Sequence, residues 1–159
     1  RRLRQMCIRD RKYTGKHILK KKEIEYFMEI AYKEALKAEK YGEVPVGSLI
    51  VCKETKQIIS KSYNQTEKLN DPTAHAEILA IRKACKKTND WRLDSKFVIF
   101  TTLEPCKKCL EVIKDARIGE VFYGAKNLST KKNIKSPRSK NLRIKKISDQ
   151  LKSFFKKIR

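Results

Sequence analysis

The chain has 159 residues and a formal net charge of +22, with 40 lysines and arginines against 18 aspartates and glutamates. This length suits one domain with its own hydrophobic core, and no run of about 18 apolar residues occurs that could cross a membrane. Five cysteines, and a basic N-terminal end with no apolar stretch after it, argue against a disulfide-rich secreted scaffold, so we expect a cytoplasmic protein.

The N-terminal end of the chain is a basic segment that we set apart from the fold. Residues 1–11 (RRLRQMCIRDR) show no hydrophobic period, and residues 5–11 resemble translated sequencing-adaptor sequence. We therefore treat residues 1–21 as non-native or disordered, the alternative being a native basic arm. Residues 22–159 are expected to form a single domain.

Hydrophobic periodicity predicts alternating helices and strands through the rest of the chain. In chain order these are a helix over 22–40, a hairpin of strands over 46–53 and 57–63, a helix over 76–87, a strand over 97–101, a helix over 105–116 and a strand over 120–125. Residues 127–141 are polar and lysine-rich, which predicts a loop. A last strand over 142–147 and a helix capped by Ser148 or Asp149 follow. This order is typical of an α/β fold, with three α/β/α layers around a mixed central sheet of about five strands.

Two short strings about thirty residues apart carry the ligands of a metal site. They are His75-Ala76-Glu77 and Pro105-Cys106-Lys107-Lys108-Cys109. One imidazole and two thiolates suit Zn²⁺, and three protein ligands leave the fourth position to water, as in catalytic zinc sites. Zinc lowers the pKa of such a water towards neutrality. We predict that His75, Cys106 and Cys109 bind the metal, and that Glu77, two residues past the histidine, handles the protons of the water.

The alternative at this point is a structural zinc site with a fourth protein ligand. Cys85 lies ten residues along the same predicted helix as His75, which is about 15 Å. Cys52 lies in a predicted buried strand, and Cys7 and His17 lie in the basic N-terminal segment. Since no fourth ligand presents itself, the open site is favoured.

The zinc motif lies within longer blocks of sequence that together carry a family resemblance. The blocks are 42–51 (GEVPVGSLIV), Asn64, 71–82 (DPTAHAEILAIR), 101–106 (TTLEPC), 116–119 (ARIG) and 121–125 (VFYGA). Over residues 22–127, and again weakly at the C-terminal end, the chain resembles the bacterial tRNA-specific adenosine deaminases of the cytidine deaminase-like superfamily. The resemblance implies the cytidine deaminase-like fold and one Zn²⁺ per subunit. It also implies a homodimer that deaminates adenosine to inosine at the wobble position (34) in tRNA anticodon stem-loops.

The same resemblance implies residues that contact the RNA, which presents a splayed base to the pocket. Asn64 corresponds to the family's pocket asparagine, although a strand-end asparagine with satisfied hydrogen bonds is the alternative. The aromatic and basic end of the last helix corresponds to the part that touches the anticodon loop, namely Phe154, Phe155, Lys156, Lys157 and Arg159. One phenylalanine is expected in the core, and the basic residues are expected to meet phosphate.

Some positions depart from the family pattern. Lys107 and Lys108 stand where the family usually has apolar residues, Asn127 replaces a usual acid, and Gln65 replaces a usual arginine. The region over 126–141 also looks shorter than usual. These departures concern substrate contacts and dimer packing rather than the metal chemistry.

The positive charge is concentrated at the C-terminal end. Residues 1–42 carry +7, residues 43–125 carry +3 and residues 126–159 carry +12. Phosphate contacts supply much of nucleic-acid affinity, so this distribution favours an RNA substrate; the alternative is the lysine bias of an AT-rich genome. Two other classes stay open. A small-molecule deaminase of guanine or cytosine would not need the basic end, and a non-catalytic zinc or RNA-binding protein would not need Glu77.

Overall fold

The computed structural model describes residues 18–127 and 138–157. Its elements in chain order are α1 (Lys21–Lys40), β1 (Gly47–Cys52), β2 (Ile58–Tyr63), α2 (Thr66–Leu69), α3 (Ala76–Thr88), β3 (Phe97–Leu103), α4 (Lys107–Asp115), β4 (Glu120–Ala125), β5 (Arg138–Asn141) and α5 (Lys145–Lys157). The expectations for Cys7, His17 and Arg159 lie outside the described residues. The division of the chain at residue 21 stays a prediction.

The five strands form one mixed sheet in the order β2-β1-β3-β4-β5. β1 runs antiparallel to both β2 and β3, whereas β3, β4 and β5 run parallel to one another. Every residue of β1 is buried, and β3 and β4 are buried along nearly their whole length. Helices on both faces of a sheet produce such continuously apolar strands.

Two hydrophobic clusters, one on each face of the sheet, make up the core. Phe27 of α1 and Leu151 of α5 pack with strand residues on one face. Ile81 of α3 and Ile113 of α4 pack with strand residues on the other. Neighbouring residues of β3 alternate between the clusters, as the two-residue period of a strand requires. The predicted three-layer α/β/α fold is therefore confirmed. No helix among the described residues is long and apolar enough to span a membrane.

Helix α1 lies against β1 almost backbone to backbone. A Cβ atom at Gly47 would come within 2.1 Å of the Ala31 carbonyl oxygen and 2.5 Å of the Ala35 nitrogen. Ala31 and Ala35 are fully buried, so only a residue without a side chain fits at position 47. This contact fixes the segment between α1 and β1, which forms one wall of the site described below.

The C-terminal region differs from the sequence prediction. The loop predicted over 127–141 is wrong at its end, where β5 (Arg138–Asn141) lies. The strand predicted over 142–147 and the helix cap predicted at Ser148 or Asp149 are also wrong, because β5 ends at Asn141 and α5 begins at Lys145. The Leu142 and Ile144 N–H groups still donate to carbonyl oxygens of β4, so this stretch follows β4 as an extended segment. Its alternating apolar residues therefore resemble those of a strand. The chain then turns at once into α5, and Ile147 becomes a buried helical residue over β4.

Candidate active site

The three predicted metal ligands meet at the N-terminal ends of two helices. His75 immediately precedes α3, Cys106 immediately precedes α4, and Cys109 lies in the first turn of α4. The His75 Nδ1 atom lies 3.7 Å from the Cys106 Sγ atom and 3.4 Å from the Cys109 Sγ atom, and the two Sγ atoms are 3.6 Å apart. Bond lengths of about 2.1 and 2.3 Å at tetrahedral angles give separations of about 3.6–3.8 Å. The spacing and the donor types fit Zn²⁺.

No fourth protein ligand joins this group among residues 18–127 and 138–157. The Cys85 sulfur instead faces the Trp91 carbonyl oxygen at 3.7 Å. Cys52 packs in the core cluster beneath α3 and α4. Within the described part of the chain, the arrangement is therefore that of a catalytic site with an open position rather than a closed structural site.

The contact between the two sulfurs shifts the pKa values of the two thiols in opposite directions. The hydrogen bond from Cys109 lowers the pKa of Cys106 to about 3, and the contact with His75 acts in the same direction. The same Cys106–Cys109 hydrogen bond, followed by burial, raises the pKa of Cys109. The contact with the Cys106 sulfur also raises the pKa of His75. Cys106 is therefore the thiol of the pair that more readily becomes the thiolate that a divalent cation binds.

Glu77 lies in the first turn of α3 and is only 4% exposed. Burial raises its pKa to about 7. A carboxyl group with a pKa near neutrality can accept a proton and return it at the same pH, which general acid–base catalysis requires. Burial and the raised pKa therefore suit Glu77 to the proton transfers predicted for it.

A cavity of about 510 Å³ joins these groups to other parts of the fold. Its lining comes from the segment after α1, the β2–α2 connection, the metal-ligand group, the end of β3 and α5. The lining residues are Gly42, Glu43, Val44, Val46, Asn64, Thr66, Glu67, His75, Glu77, Leu103, Glu104, Cys106, Asn127 and Phe154. The volume lies in the range of small-molecule pockets.

Asn64 lies in this cavity, together with two residues that the sequence did not identify. It is 6% exposed, its Nδ2 donates to the Glu43 carboxylate over 3.1 Å, and its Oδ1 accepts from the Thr66 hydroxyl over 3.2 Å. Glu43 is itself fully buried. Glu43 belongs to the 42–51 block that carries the family resemblance, but the sequence assigned it no role, because a charged residue just before an apolar strand is more often on the surface.

The end of α5 divides between the cavity and the surface. Phe154 lines the cavity and is 7% exposed, whereas Phe155 is 48% exposed. Lys156 and Lys157 are exposed, and Lys157 lies 3.8 Å from the Glu39 carboxylate. Phe154 is thus buried and Phe155 exposed, in agreement with the expectation that one of the two phenylalanines lies in the core.

A three-layer fold with a His-Cys-Cys group, a nearby glutamate and an open coordination position defines a zinc-dependent deaminase. In agreement, a sequence model described as the cytidine and deoxycytidylate deaminase zinc-binding region matches residues 21–125. The expectation of zinc as the cofactor is confirmed.

Similar sequences and solved structures indicate the branch of zinc-dependent deaminases to which the chain belongs. A tRNA-specific adenosine deaminase of Aquifex aeolicus (strain VF5) is 40% identical over 147 residues, covering 85% of this chain and 95% of the relative. A structure from work on A-to-I editing by tRNA:A34 deaminases at the wobble position of transfer RNA is 34% identical. Its TM-score is 0.72, with 80% of this chain and 99% of that chain covered. The chain therefore belongs to the cytidine and deoxycytidylate deaminase family, in the branch of the tRNA-specific adenosine deaminases.

The same fold also hosts base deaminases. A guanine deaminase from Bacillus subtilis is 40% identical, with a TM-score of 0.60, and 64% of each chain is covered. This similarity is relevant to the small-molecule guanine deaminase that the sequence left open as an alternative.

Proposed function

We propose that this protein is a zinc-dependent hydrolase that converts adenosine to inosine at the wobble position (34) of tRNA anticodons. The observation that carries the proposal is that Glu77, His75 and Cys106 line one cavity, with the buried Cys109 completing the ligand group beside it. The identity of the substrate is inferred from the tRNA-specific adenosine deaminases that are similar to this chain. The net reaction consumes one water and releases one ammonia.

Proton transfer is the task of Glu77. His75, Cys106 and Cys109 would hold Zn²⁺, which would supply a water of lowered pKa as the nucleophile for C6 of the purine. Glu77 accepts the first proton of that water and delivers it to the purine ring nitrogen, where it stays in inosine. Glu77 then takes the second proton from the hydroxyl left on C6 and gives it to the amino group, so that C6=O forms, the C6–N bond breaks and ammonia leaves. The buried position of Glu77 keeps the pKa of this carboxyl close to the pH at which both transfers must occur.

In this proposal the nucleoside is bound by cavity residues other than the metal ligands. Asn64 uses the hydrogen-bonding capacity that Glu43 and Thr66 leave free, and Phe154 supplies an apolar surface next to the base. Phe155, Lys156, Lys157 and Arg159 contact the anticodon loop. Aromatic stacking and phosphate pairing are the usual means of holding a splayed RNA loop.

Partners and location follow from the resemblance and the charge. The concentration of positive charge over 126–159 favours an anticodon stem-loop over a free base. A homodimer remains a prediction that the family resemblance supports. A cytoplasmic location also remains a prediction, supported by the four cysteines of the described residues, all of which are free.

Deamination of free guanine is the second candidate, because of the 40% identity to the guanine deaminase. Coverage favours the first candidate, since the tRNA:A34 deaminase structure matches over 80% of this chain and the guanine deaminase over 64%. Zinc-loaded protein should be incubated separately with an A34 stem-loop, guanine and cytosine, with inosine and ammonia measured. Inosine from the stem-loop alone supports the proposal. Ammonia only from a free base supports a small-molecule deaminase, and no product from any substrate supports a non-catalytic protein.

A further inference from the structure

We infer that Glu43 is a positioning residue that fixes the orientation of the Asn64 amide and thereby the hydrogen-bonding pattern that the base meets. The inference rests on the proposed function, in which Asn64 contacts the nucleoside. It assigns a role to a buried charge that neither the metal chemistry nor the proton transfers use.

The Glu43 carboxylate is enclosed and receives three N–H groups. It is 1% exposed and lines the cavity. Its Oε2 accepts from the Asn64 Nδ2 at 3.1 Å and from the Glu67 backbone N–H at 3.3 Å, and its Oε1 accepts from the Lys68 backbone N–H at 2.8 Å. The two backbone donors lie in the first turn of α2, where N–H groups have no partner inside the helix. The carboxylate therefore links α2 to the amide of Asn64.

This arrangement allows the Asn64 amide only one orientation. The two backbone N–H groups cannot reverse, so the Glu43 oxygens act as acceptors and the group facing them must be a donor. On its other side the amide accepts from the Thr66 hydroxyl at 3.2 Å. A flipped amide would place its oxygen against the carboxylate and leave a buried acceptor without a partner.

A fixed amide has a direct consequence for recognition. One hydrogen on Nδ2 and one lone pair on Oδ1 remain available, and their order along the cavity wall cannot change. A purine edge carries ring-nitrogen acceptors next to amino donors or carbonyl acceptors, according to the base. A wall with an invariant donor and acceptor order favours one placement of the base over the reversed one. Glu43 therefore acts on binding of the nucleoside through Asn64.

The test is a double-mutant cycle between Glu43→Gln and Asn64→Ala, read as KM and kcat on an A34 stem-loop. Glutamine has the same shape but offers one acceptor oxygen to three donors, so its NH₂ group faces a donor in either orientation and the hold on the Asn64 amide is weakened. We expect KM to rise about tenfold, the effect of one hydrogen bond, with a smaller change in kcat and unchanged zinc content. In the Asn64→Ala background the same substitution should leave KM unchanged within about twofold.

Glu34→Gln is the matched control. Glu34 is also a buried carboxylate, at 4% exposure, but it pairs with Lys37 and Lys61 and does not line the cavity. Its substitution should lower the free energy of unfolding without changing KM. If Glu43→Gln fails to fold, Thr66→Val removes the donor on the other side of the amide and should show the same dependence on Asn64.

A readout without substrate separates this inference from the proposed function. The side-chain NH₂ signals of Asn64, assigned by their loss in Asn64→Ala, should exchange slowly in the wild type and in Glu34→Gln. They should broaden or exchange rapidly in Glu43→Gln. Unchanged signals, an unchanged KM, or KM effects that multiply in the double variant would overturn the role of Glu43. A wild type that deaminates no RNA would instead reject the proposed function, while the NMR measurement still decides the role of Glu43.

Discussion

The Lys108 ammonium donates a hydrogen bond to the Pro72 carbonyl oxygen over 3.0 Å, which ties the first turn of α4 to the loop before His75. The same loop is held from within, because the Asp71 carboxylate accepts from both the N–H and the hydroxyl of Thr73 at 2.7 Å. The hydrogen bond to Pro72 gives Lys108 a structural role at a position where the family usually has an apolar residue. It connects the two segments that carry the three metal ligands.

The first prediction is that Lys108→Met weakens zinc binding. The loop before His75 loses one hydrogen bond, worth about 1 kcal/mol, so the zinc affinity should fall about fivefold in competition with a chelator. Lys107→Met, a change at the exposed neighbouring lysine, removes the same charge and should leave the affinity unchanged. Equal losses in the two variants would show that charge rather than the Pro72 contact matters.

The second prediction concerns the metal ligands. Cys106→Ser and Cys109→Ser each remove a soft ligand from a group of three, so the purified variants should contain far less than one zinc per chain. Cys85→Ser is the control, since Cys85 lies on α3 outside the group, and this variant should keep its full zinc content. Elemental analysis measures the outcome. Full zinc content in either ligand variant would reject the assigned ligand set.

The third prediction is that Glu77→Gln retains zinc but loses turnover. The amide cannot accept the proton, so single-turnover inosine formation should slow by about 10²–10⁴-fold. Glu104→Gln changes a second carboxylate in the same cavity, which accepts the Asn127 N–H at 3.1 Å, and should have a much smaller effect. If Glu104→Gln stops the reaction and Glu77→Gln does not, the proton-transfer role belongs to Glu104.

Much of the fold was predictable because each element has a strong local pattern. The predicted strand over 120–125 matches β4, and the predicted helices over 22–40 and 76–87 each differ by one residue at a single end. The sequence also identified all members of the three-ligand group. These features depend on periodicity and on short motifs, which a single sequence displays, whereas Asn64 was expected in the pocket only from the family resemblance.

The remaining features depend on contacts between distant segments. The short helix α2 has its first turn stabilised by Glu43, about 25 positions earlier in the chain, so its own four residues do not reveal it. The start of α5 is set by pairing of the preceding residues with β4. Glu43 and Thr66 act through Asn64, and neither belongs to a motif with its own chemical signature. Such partners become visible only when the fold brings the segments together.

The fourth prediction tests the basic end of α5. Replacing Lys156 and Lys157 by Gln should weaken binding of an A34 stem-loop and lower the slope of log affinity against log salt by about 0.7 per lost phosphate contact. Gln at Lys86 and Lys87 removes the same charge from the last turn of α3, about 17 Å along that helix from His75. This control pair should leave the slope unchanged. The same loss of slope in both double variants would indicate a general charge effect.

In the proposed reaction, the cavity acts on a wobble adenosine in RNA. The most direct measurement is to incubate a full-length tRNA carrying A34 with zinc-loaded protein and to map inosine along the whole molecule by reverse transcription. Conversion should occur at position 34, leave the other adenosines of the same tRNA unchanged, and disappear with Glu77→Gln. An unmodified A34, together with ammonia release from free guanine under the same conditions, would contradict the account.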